Sequence, residues 1–160
     1  MPHIHEKIDF TAEVFIVYRN KVLLRKHDKY KKWLSVGGHI ELNEDPNEAA
    51  IREVKEETGL DIVLDDNLQE FREKDETIEL IPPYFLNRHR ISDTHEHITL
   101  VYFAKSNLDK IYENIEREKS EECRWFTKEK LLADKEIDSN VKFYALKALE
   151  KLSNLAITTK

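Results

Sequence analysis

The segment at 37–60, GGHIELNEDPNEAAIREVKEETGL, constrains the fold more than any other part of the chain. A pair of glycines opens it, and a helix with signals at both ends follows. Asp45 can cap that helix, Pro46 suits its first position, and Glu48 can complete a capping box. Gly59 supplies the stop, because glycine readily adopts the left-handed backbone that ends many helices. The sequence therefore predicts a short helix between Asp45 and Gly59.

Seven acidic side chains lie from Glu41 to Glu57 against two basic ones, and three of them share one face of the predicted helix. At 3.6 residues per turn, Glu53, Glu56 and Glu57 span an arc of roughly 100 degrees. Like charges at this spacing destabilise an isolated helix by about 0.2–0.5 kcal/mol per pair, and acids late in a helix oppose its dipole. Local stability does not explain the cluster, whereas a bound divalent cation does. Mg²⁺ suits it, because Mg²⁺ binds a few carboxylates together with water and substrate phosphates.

The other elements are mostly strands. FTAEVFIVY and VLLRKH flank a polar RNK, which predicts a hairpin with its turn at Asn20 and Lys21. WLSVGGHIE predicts a strand that breaks at the glycines, LDIVL and CRWF are further strands, and PYFLNRHRI and HITLVYFAK form a second hairpin. Helices are predicted from about Lys128 and over Ser139–Leu152. The stripe of the first helix expected to pack on the sheet comprises Ile51, Val54 and Thr58. This order predicts an α+β or α/β protein, a mixed sheet with helices on its faces.

The composition bounds the class of protein. With 160 residues the chain is long enough for one domain, residues 1–160, around a single core. The net charge of −6 argues against a general grip on nucleic-acid polymers, which needs a basic surface. The single cysteine, Cys123, excludes an internal disulfide, and no apolar run reaches the length of a signal peptide or a membrane span. These features predict a cytoplasmic protein that does not associate with membranes.

The spacing within the acidic segment resembles a known signature. Gly38 is followed after five residues by Glu44, and after seven more by REVKEETGL, which begins at Arg52. A glutamate cluster is usually just a solvated face. This one, however, fills every specified position of GX5EX7REUXEEXGU, the signature of the Nudix hydrolases, in which U is a bulky aliphatic residue. The resemblance implies the Nudix fold, an α/β/α sandwich with a mixed central β-sheet. It also implies hydrolysis of a pyrophosphate linkage, usually in a nucleoside diphosphate joined to another group.

The resemblance further implies a metal site on the helix. Glu53, Glu56 and Glu57 would hold one to three divalent ions, Mg²⁺ with Mn²⁺ as an alternative. Glu53, or a water that it contacts, would serve in general-base catalysis. Metal ions in such sites neutralise the charge that develops on phosphates and lower the pKa of bound water.

Four positions of the signature region would support these glutamates in the same way. Arg52 would orient the catalytic glutamates, since the family uses this arginine for that purpose. A backbone carbonyl at Gly37 or Gly38 would complete the metal shell. Glu44 would brace the loop against the helix, or join the metal network through water.

Two candidate substrate contacts lie outside the signature. Many family members add a carboxylate from a loop, and Glu118 is preferred here by its distance from Trp125. The acids considered for this position are Glu113, Glu116, Glu118, Glu121 and Glu122. Arg25 ends the second strand where relatives often carry a basic residue near substrate phosphates, because a guanidinium can hold phosphate oxygens bidentately. A surface charge at the end of a strand is the alternative interpretation of Arg25.

The histidines at positions 3, 5, 95 and 97 raise the question of a zinc site, because alternate residues of a strand point to one face. No third ligand stands at a recognisable spacing from them. The sequence therefore does not favour zinc.

Three activities remain on one fold. The first is a Mg²⁺-dependent hydrolase acting on a small nucleotide derivative, a homodimer if it follows many relatives. The second is a Nudix-fold module that binds a nucleotide derivative without turnover, although such modules usually lose glutamates that are all present here. The third is an isopentenyl-type isomerase, which would need an active-site cysteine and glutamate, and nothing marks Cys123 as catalytic. The sequence favours the hydrolase and does not select its substrate.

Overall fold

The computed structural model describes residues 4–27, 29–72, 76–112 and 122–153. Its strands are β1 (Ile8–Tyr18), β2 (Lys21–His27), β3 (Lys32–Leu34), β4 (Val36–His39), β5 (Ile62–Leu64), β6 (Phe85–Arg90), β7 (Glu96–Ser106) and β8 (Cys123–Thr127). Its helices are α1 (Pro46–Thr58), α2 (Lys128–Ala133) and α3 (Ser139–Leu152). Within these ranges, no helix combines the length and the apolar character that crossing a membrane requires.

All eight strands belong to one mixed sheet with β1 at its centre. On one side, β1 runs parallel to β7, in register from Ile8↔Glu96 to Val17↔Lys105. On the other side, β1 pairs antiparallel with β4 along its middle and with β2 at its end. β2 also pairs with β3 and β8, and β7 with β5 and β6. The predicted mixed sheet is confirmed.

Helices cover both faces of this sheet. Phe15 and Val17 of β1 point to a buried cluster that includes the apolar side of α3, whereas Val14 and Ile16 point to a second cluster beneath α1. Successive residues of a strand face opposite ways, so one strand contributes to both cores. The expected three-layer α/β/α arrangement is present.

The two hairpins also match the sequence-based expectation. The first turn lies at Arg19 and Asn20, one residue earlier than predicted, and Arg19 adopts a φ of 54° there. β6 and β7 pair antiparallel from Phe85↔Val101 to Arg90↔Glu96. Local turn residues and strand patterns were therefore sufficient to locate both hairpins.

The predicted break at the paired glycines is wrong. β4 runs through Gly37 and Gly38, and the interruption falls one residue before the strand, at Ser35. Four consecutive register pairs with β1 hold β4 in extended form, including Glu13↔Gly37 and Ala12↔Gly38. Gly37 thus allows a close approach to the backbone of β1, and Gly38 a close approach to Glu53 of α1, and neither forms a turn.

The predicted packing stripe of α1 is partly wrong. Ile51 is 45% exposed, whereas Val54 and Thr58 are buried as expected. The side of α1 that meets the sheet is completed by Ala49 and Ala50. Because these small residues let α1 approach β1 and β4 closely, the neighbouring glutamates of the helix are brought against the sheet as well.

Candidate active site

The start of α1 is fixed by its own side chains. The Asp45 carboxylate accepts the backbone N–H groups of Asn47 at 2.8 Å and Glu48 at 2.9 Å. The Glu48 carboxylate in return accepts the backbone N–H of Asp45 at 2.9 Å, and Gly59 ends the helix with a φ of 74°. These contacts satisfy N–H groups that a helix start leaves open. They also set the rotation at which the glutamates leave the helix.

The three predicted metal ligands of α1 differ in their surroundings. Glu53 is 2% exposed and faces Gly38, where an added Cβ would stand 2.5 Å from the carboxyl carbon. Glu57, with its side chain 11% exposed, accepts the backbone N–H of Gly37 at 3.3 Å. The side chain of Glu56 is 39% exposed. Two carboxylates therefore lie against the main chain of β4, and the third faces solvent.

Arg52 joins α1 to the loop before it. Its Nε and Nη2 donate to the two oxygens of Glu44 at 2.9 and 2.6 Å, a bidentate pair. Its Nη1 donates to Glu53 at 2.9 Å and Glu56 at 3.2 Å, and Nη2 also donates to the His39 carbonyl at 3.1 Å. The hydrogen bond from Arg52 lowers the pKa of Glu44. One guanidinium thus holds two of the predicted metal ligands, the predicted bracing acid and the end of β4.

Arg25 approaches the same carboxylates from β2. Its Nη1 lies 3.4 Å from Glu57 Oε1, and its side chain is 15% exposed. β2 pairs on both sides at this residue, with Leu34 of β3 and Cys123 of β8. Arg25 is therefore mostly buried and lies beside Glu57.

The residues present fit a hard divalent cation. The available donors are carboxylate and main-chain oxygens, which are the ligands that Mg²⁺ prefers. Gly38 has no side chain, which lets the Glu53 carboxylate lie directly against the main chain of β4. Four carboxylates meet two guanidinium groups here, which leaves two negative charges in excess. The acids of this cluster are Glu44, Glu53, Glu56 and Glu57.

Glu13 is a partly buried acid outside the signature. It pairs with Gly37 in the β1–β4 register, and its Oε2 accepts a hydrogen bond from Ser35 Oγ at 2.9 Å. Burial raises the pKa of Glu13, and the bond from Ser35 opposes that shift. The signal was a lone charged residue inside the apolar run FTAEVFIVY. Glu13 lies on the opposite face of the sheet from Glu53.

The structure does not show where the predicted additional carboxylate, Glu118, lies. Glu118, with Glu113, Glu116 and Glu121, lies outside the described residues. Glu122 is described, and its exposed side chain pairs with Arg124.

Comparison with known proteins establishes the family. The model of the NUDIX domain matches residues 9–147. A crystal structure of a NUDIX-family hydrolase from Clostridium perfringens is 37% identical, has a TM-score of 0.78, and the match covers 91% of this chain and 98% of that one. A MutT NUDIX hydrolase from Burkholderia pseudomallei is 20% identical, with a TM-score of 0.61 and coverage of 92% and 100%. An ADP-ribose pyrophosphatase from Streptococcus suis is 13% identical, with a TM-score of 0.56 and coverage of 89% and 90%.

The last two likenesses concern the fold alone, whereas the domain match and the Clostridium perfringens protein extend to the sequence. The residues that carry the signature are also the ones that α1 and β4 bring together. The chain therefore belongs to the Nudix family of hydrolases.

Proposed function

We propose that the chain is a Mg²⁺-dependent pyrophosphohydrolase. It cleaves the pyrophosphate bond of a nucleoside diphosphate linked to another group, or of a nucleoside triphosphate, by attack of water on phosphorus. The observation that carries this proposal is the contact of Glu53 and Glu57 with the main chain of β4, within a cluster that holds two excess negative charges. Nudix hydrolases generally use divalent metals, and Mn²⁺ would substitute for Mg²⁺.

The metal ligands in this proposal are oxygen atoms of α1 and β4. Glu53, Glu56 and Glu57 would hold the ions, together with a carbonyl of Gly37 or Gly38. When bound, the metal supplies charge neutralisation at the phosphates and acidifies water. An all-oxygen donor set suits Mg²⁺ and disfavours softer ions.

The remaining steps belong to the protein's own residues. Arg52 keeps Glu53 and Glu56 in place through hydrogen bonds of 2.9 and 3.2 Å. Glu53, buried and directed at Gly38, accepts a proton from the attacking water as general base. Arg25 holds phosphate oxygens beside Glu57, because its guanidinium can donate two parallel bonds. Glu118 stays a proposed substrate contact.

The substrate is a small nucleotide derivative in this proposal. A negative charge of −6 is unsuited to a long phosphate backbone, whereas a compact site with cations suits one or two phosphates. A cytoplasmic location and a homodimer also stay predictions. A reducing compartment agrees with the lone Cys123, which is partly buried and makes no disulfide.

The decisive experiment screens the purified protein with Mg²⁺ or Mn²⁺ against a panel of phosphoanhydrides. The panel contains nucleoside triphosphates, nucleotide sugars, ADP-ribose, dinucleoside polyphosphates and coenzyme A. We expect turnover of at least one member, and a loss of about 10²–10³-fold in kcat in Glu53→Gln and Glu57→Gln. Glu129→Gln, which changes an exposed acid of α2, is the matched control and should keep wild-type activity.

Two outcomes would contradict the proposal. If the wild type binds a panel member but turns over none faster than the glutamine variants, the protein is a binding module and not a hydrolase. If Glu57→Gln keeps full activity and metal affinity, Glu57 is not a ligand.

A further inference from the structure

A second group of metal-binding side chains meets on the face of the sheet opposite α1. Asp9 lies on β1, His39 on β4 and His97 on β7, and His95 immediately precedes β7. The register places Asp9 beside His97, and His39 beside Thr11. Alternate residues of paired strands share a face, which brings these side chains together. The sequence offered no third ligand at a recognisable spacing from His95 and His97, and strand pairing supplies neighbours for them from β1 and β4.

The distances suit a single ion. The Nε2 atoms of His39 and His95 each lie 3.2 Å from Asp9 Oδ2. The ligand atoms of Asp9, His95 and His97 all lie within 4.8 Å of one another, and the His39 and His97 rings are 5.0 Å apart. Tetrahedral ligands at zinc distances are separated by about 3.3 Å. The separations of His39 and His95 from Asp9 match that edge.

Neighbouring backbone groups orient two of the four ligands. The Asp9 Oδ1 atom accepts the backbone N–H of His5 at 2.7 Å, which leaves Oδ2 to face the imidazoles. His95 Nδ1 lies 3.2 Å from the Glu6 carbonyl. A carbonyl only accepts, so Nδ1 carries the hydrogen, and Nε2 is the ring nitrogen that faces Asp9. Protein metal sites commonly orient ligating histidines in this way.

An ion accounts for this cluster better than a simple Asp–His pair. The Asp9 side chain is 0% exposed, so its charge needs compensation, and one imidazolium would suffice. Three imidazole rings, those of His39, His95 and His97, surround Asp9 instead. His97 Nε2 is buried and makes no hydrogen bond within the part of the chain that the structure describes.

We propose that Asp9, His39, His95 and His97 form a binding site for one divalent transition-metal ion of the zinc type. Three imidazole nitrogens and one carboxylate oxygen would make a set of four ligands of the types that zinc accepts. Imidazole-rich sites favour zinc-like ions over Mg²⁺, so the site is chemically distinct from the all-oxygen site of α1. A surface groove between Lys7 and Arg90 reaches His95 and gives the ion a path from solvent.

The ion would position the active site without taking part in the reaction. It would tie together the ends of β1, β4 and β7 that carry its ligands. His39 belongs to both sites, because its ring faces Asp9 while its carbonyl accepts from Arg52 Nη2 at 3.1 Å. Holding this ring therefore also holds the backbone atom that anchors Arg52.

Metal binding by the wild-type protein tests the proposal directly. The protein is stripped with a chelator, saturated with Mg²⁺ to fill the α1 site, and titrated with Co²⁺. We expect one equivalent of Co²⁺ with the intense visible absorption of tetrahedral coordination, displaced by one equivalent of Zn²⁺, and a higher melting temperature with Zn²⁺. A weak octahedral spectrum alone, or a melting temperature that Zn²⁺ leaves unchanged, would overturn it.

Variants then locate the ion. Asp9→Asn and His97→Gln should lower zinc affinity by at least about tenfold. His89→Gln is the matched control, since His89 is exposed and its ring lies 5.7 Å from that of His97. Equal zinc affinity in His97→Gln and wild type, or an equal loss in His89→Gln, would refute the ligand set. If a ligand variant fails to fold, as seen by circular dichroism, the wild-type titration decides.

Discussion

Gly38 faces Glu53 so closely that a Cβ on the glycine would stand 2.5 Å from the Glu53 carboxyl carbon and from its Oε1. The obstructing atoms are the end of a flexible side chain, so Gly38→Ala should fold with a stability close to wild type. Its added methyl group should displace the carboxylate, and we expect kcat to fall by about 10²-fold, the usual effect of a misplacement of about 1 Å. Steady-state kinetics beside urea unfolding checks this prediction.

Gly37→Ala should show the opposite pattern. A Cβ on Gly37 would meet backbone atoms of β1, standing 2.2 Å from the Ala12 carbonyl oxygen and 2.8 Å from Glu13 Cα. Backbone in a paired strand cannot move aside cheaply, so the free energy of unfolding should fall by about 1–3 kcal/mol. The urea midpoint measures this loss. Equal destabilisation by the two alanine variants would show that the Glu53 side chain is as rigid as the strand.

Arg52→Lys should damage the site although it keeps the charge. Lysine cannot reproduce the bidentate pair with Glu44 while also reaching Glu53 and the His39 carbonyl. Each lost charge-assisted bond contributes about 1.5–3 kcal/mol. We expect lower kcat and a lower melting temperature together, measured against Lys55→Arg, which changes an exposed pair with Asp61. If Arg52→Lys kept wild-type kinetics, a positive charge at this position would be sufficient for activity and the guanidinium geometry would not be required.

Arg25→Gln should separate substrate binding from chemistry. Because Arg25 lies 3.4 Å from Glu57 and is proposed to hold phosphate oxygens, we expect KM to rise by about tenfold or more with a smaller change in kcat. Arg124→Gln, which removes an exposed arginine from β8, is the control. A fall in kcat alone would instead assign Arg25 to the positioning of Glu57.

The environment of Tyr84 should lower the free energy of unfolding at alkaline pH. Its ring stacks on Phe103 with centroids 4.5 Å apart, and its hydroxyl donates to the Asp65 carboxylate. Burial, followed by the bond to Asp65, raises the pKa of Tyr84 from 10.0 to about 12. The unfolded chain therefore releases this proton first, so the stabilisation is complete below pH 10 and is lost as the pH rises through 12.

Unfolding free energies measured in urea across this pH range should fall more steeply for the wild type than for Tyr84→Phe. The pKa of Tyr102 is also raised to about 12, chiefly by burial, so some slope should persist in the variant. Identical slopes in the two proteins would show that the Tyr84–Asp65 bond contributes nothing to the dependence.

Features set by short-range chemistry were predictable from the sequence. The caps of α1 involve residues only two or three positions apart, so Asp45, Glu48 and Gly59 announce the helix wherever it packs. The glutamate spacing likewise fixes which carboxylates share a face, since helical geometry does not depend on the rest of the fold. Periodicity alone did not show that Ile51 is exposed, because Ala49 and Ala50 form a competing face on which small residues pack closely.

Features set by pairing between strands distant in sequence were not predictable. Asp9, His39 and His97 are distant in sequence and meet only because β1 pairs with β4 on one side and β7 on the other. No ligand spacing encodes that arrangement. The same is true of Arg25, whose approach to Glu57 depends on how β2 lies beside α1. The proposed metal ligands of α1 could be named from the sequence because they share one helix and fill fixed positions of the Nudix signature.

Because β1 pairs with β7, which is far along the chain, the sheet cannot close until late in protein synthesis. The hydroxyls of Thr11 and Thr99 meet at 2.7 Å across 88 positions of sequence. A ribosome translating this chain releases α1, with its row of like charges, well before β7 emerges to complete the sheet beneath it. Until then the nascent chain lacks the strand that closes both cores, and contacts this distant in sequence form slowly. Resistance of ribosome-bound chains to protease should therefore begin only once residues beyond Ser106 have left the exit tunnel.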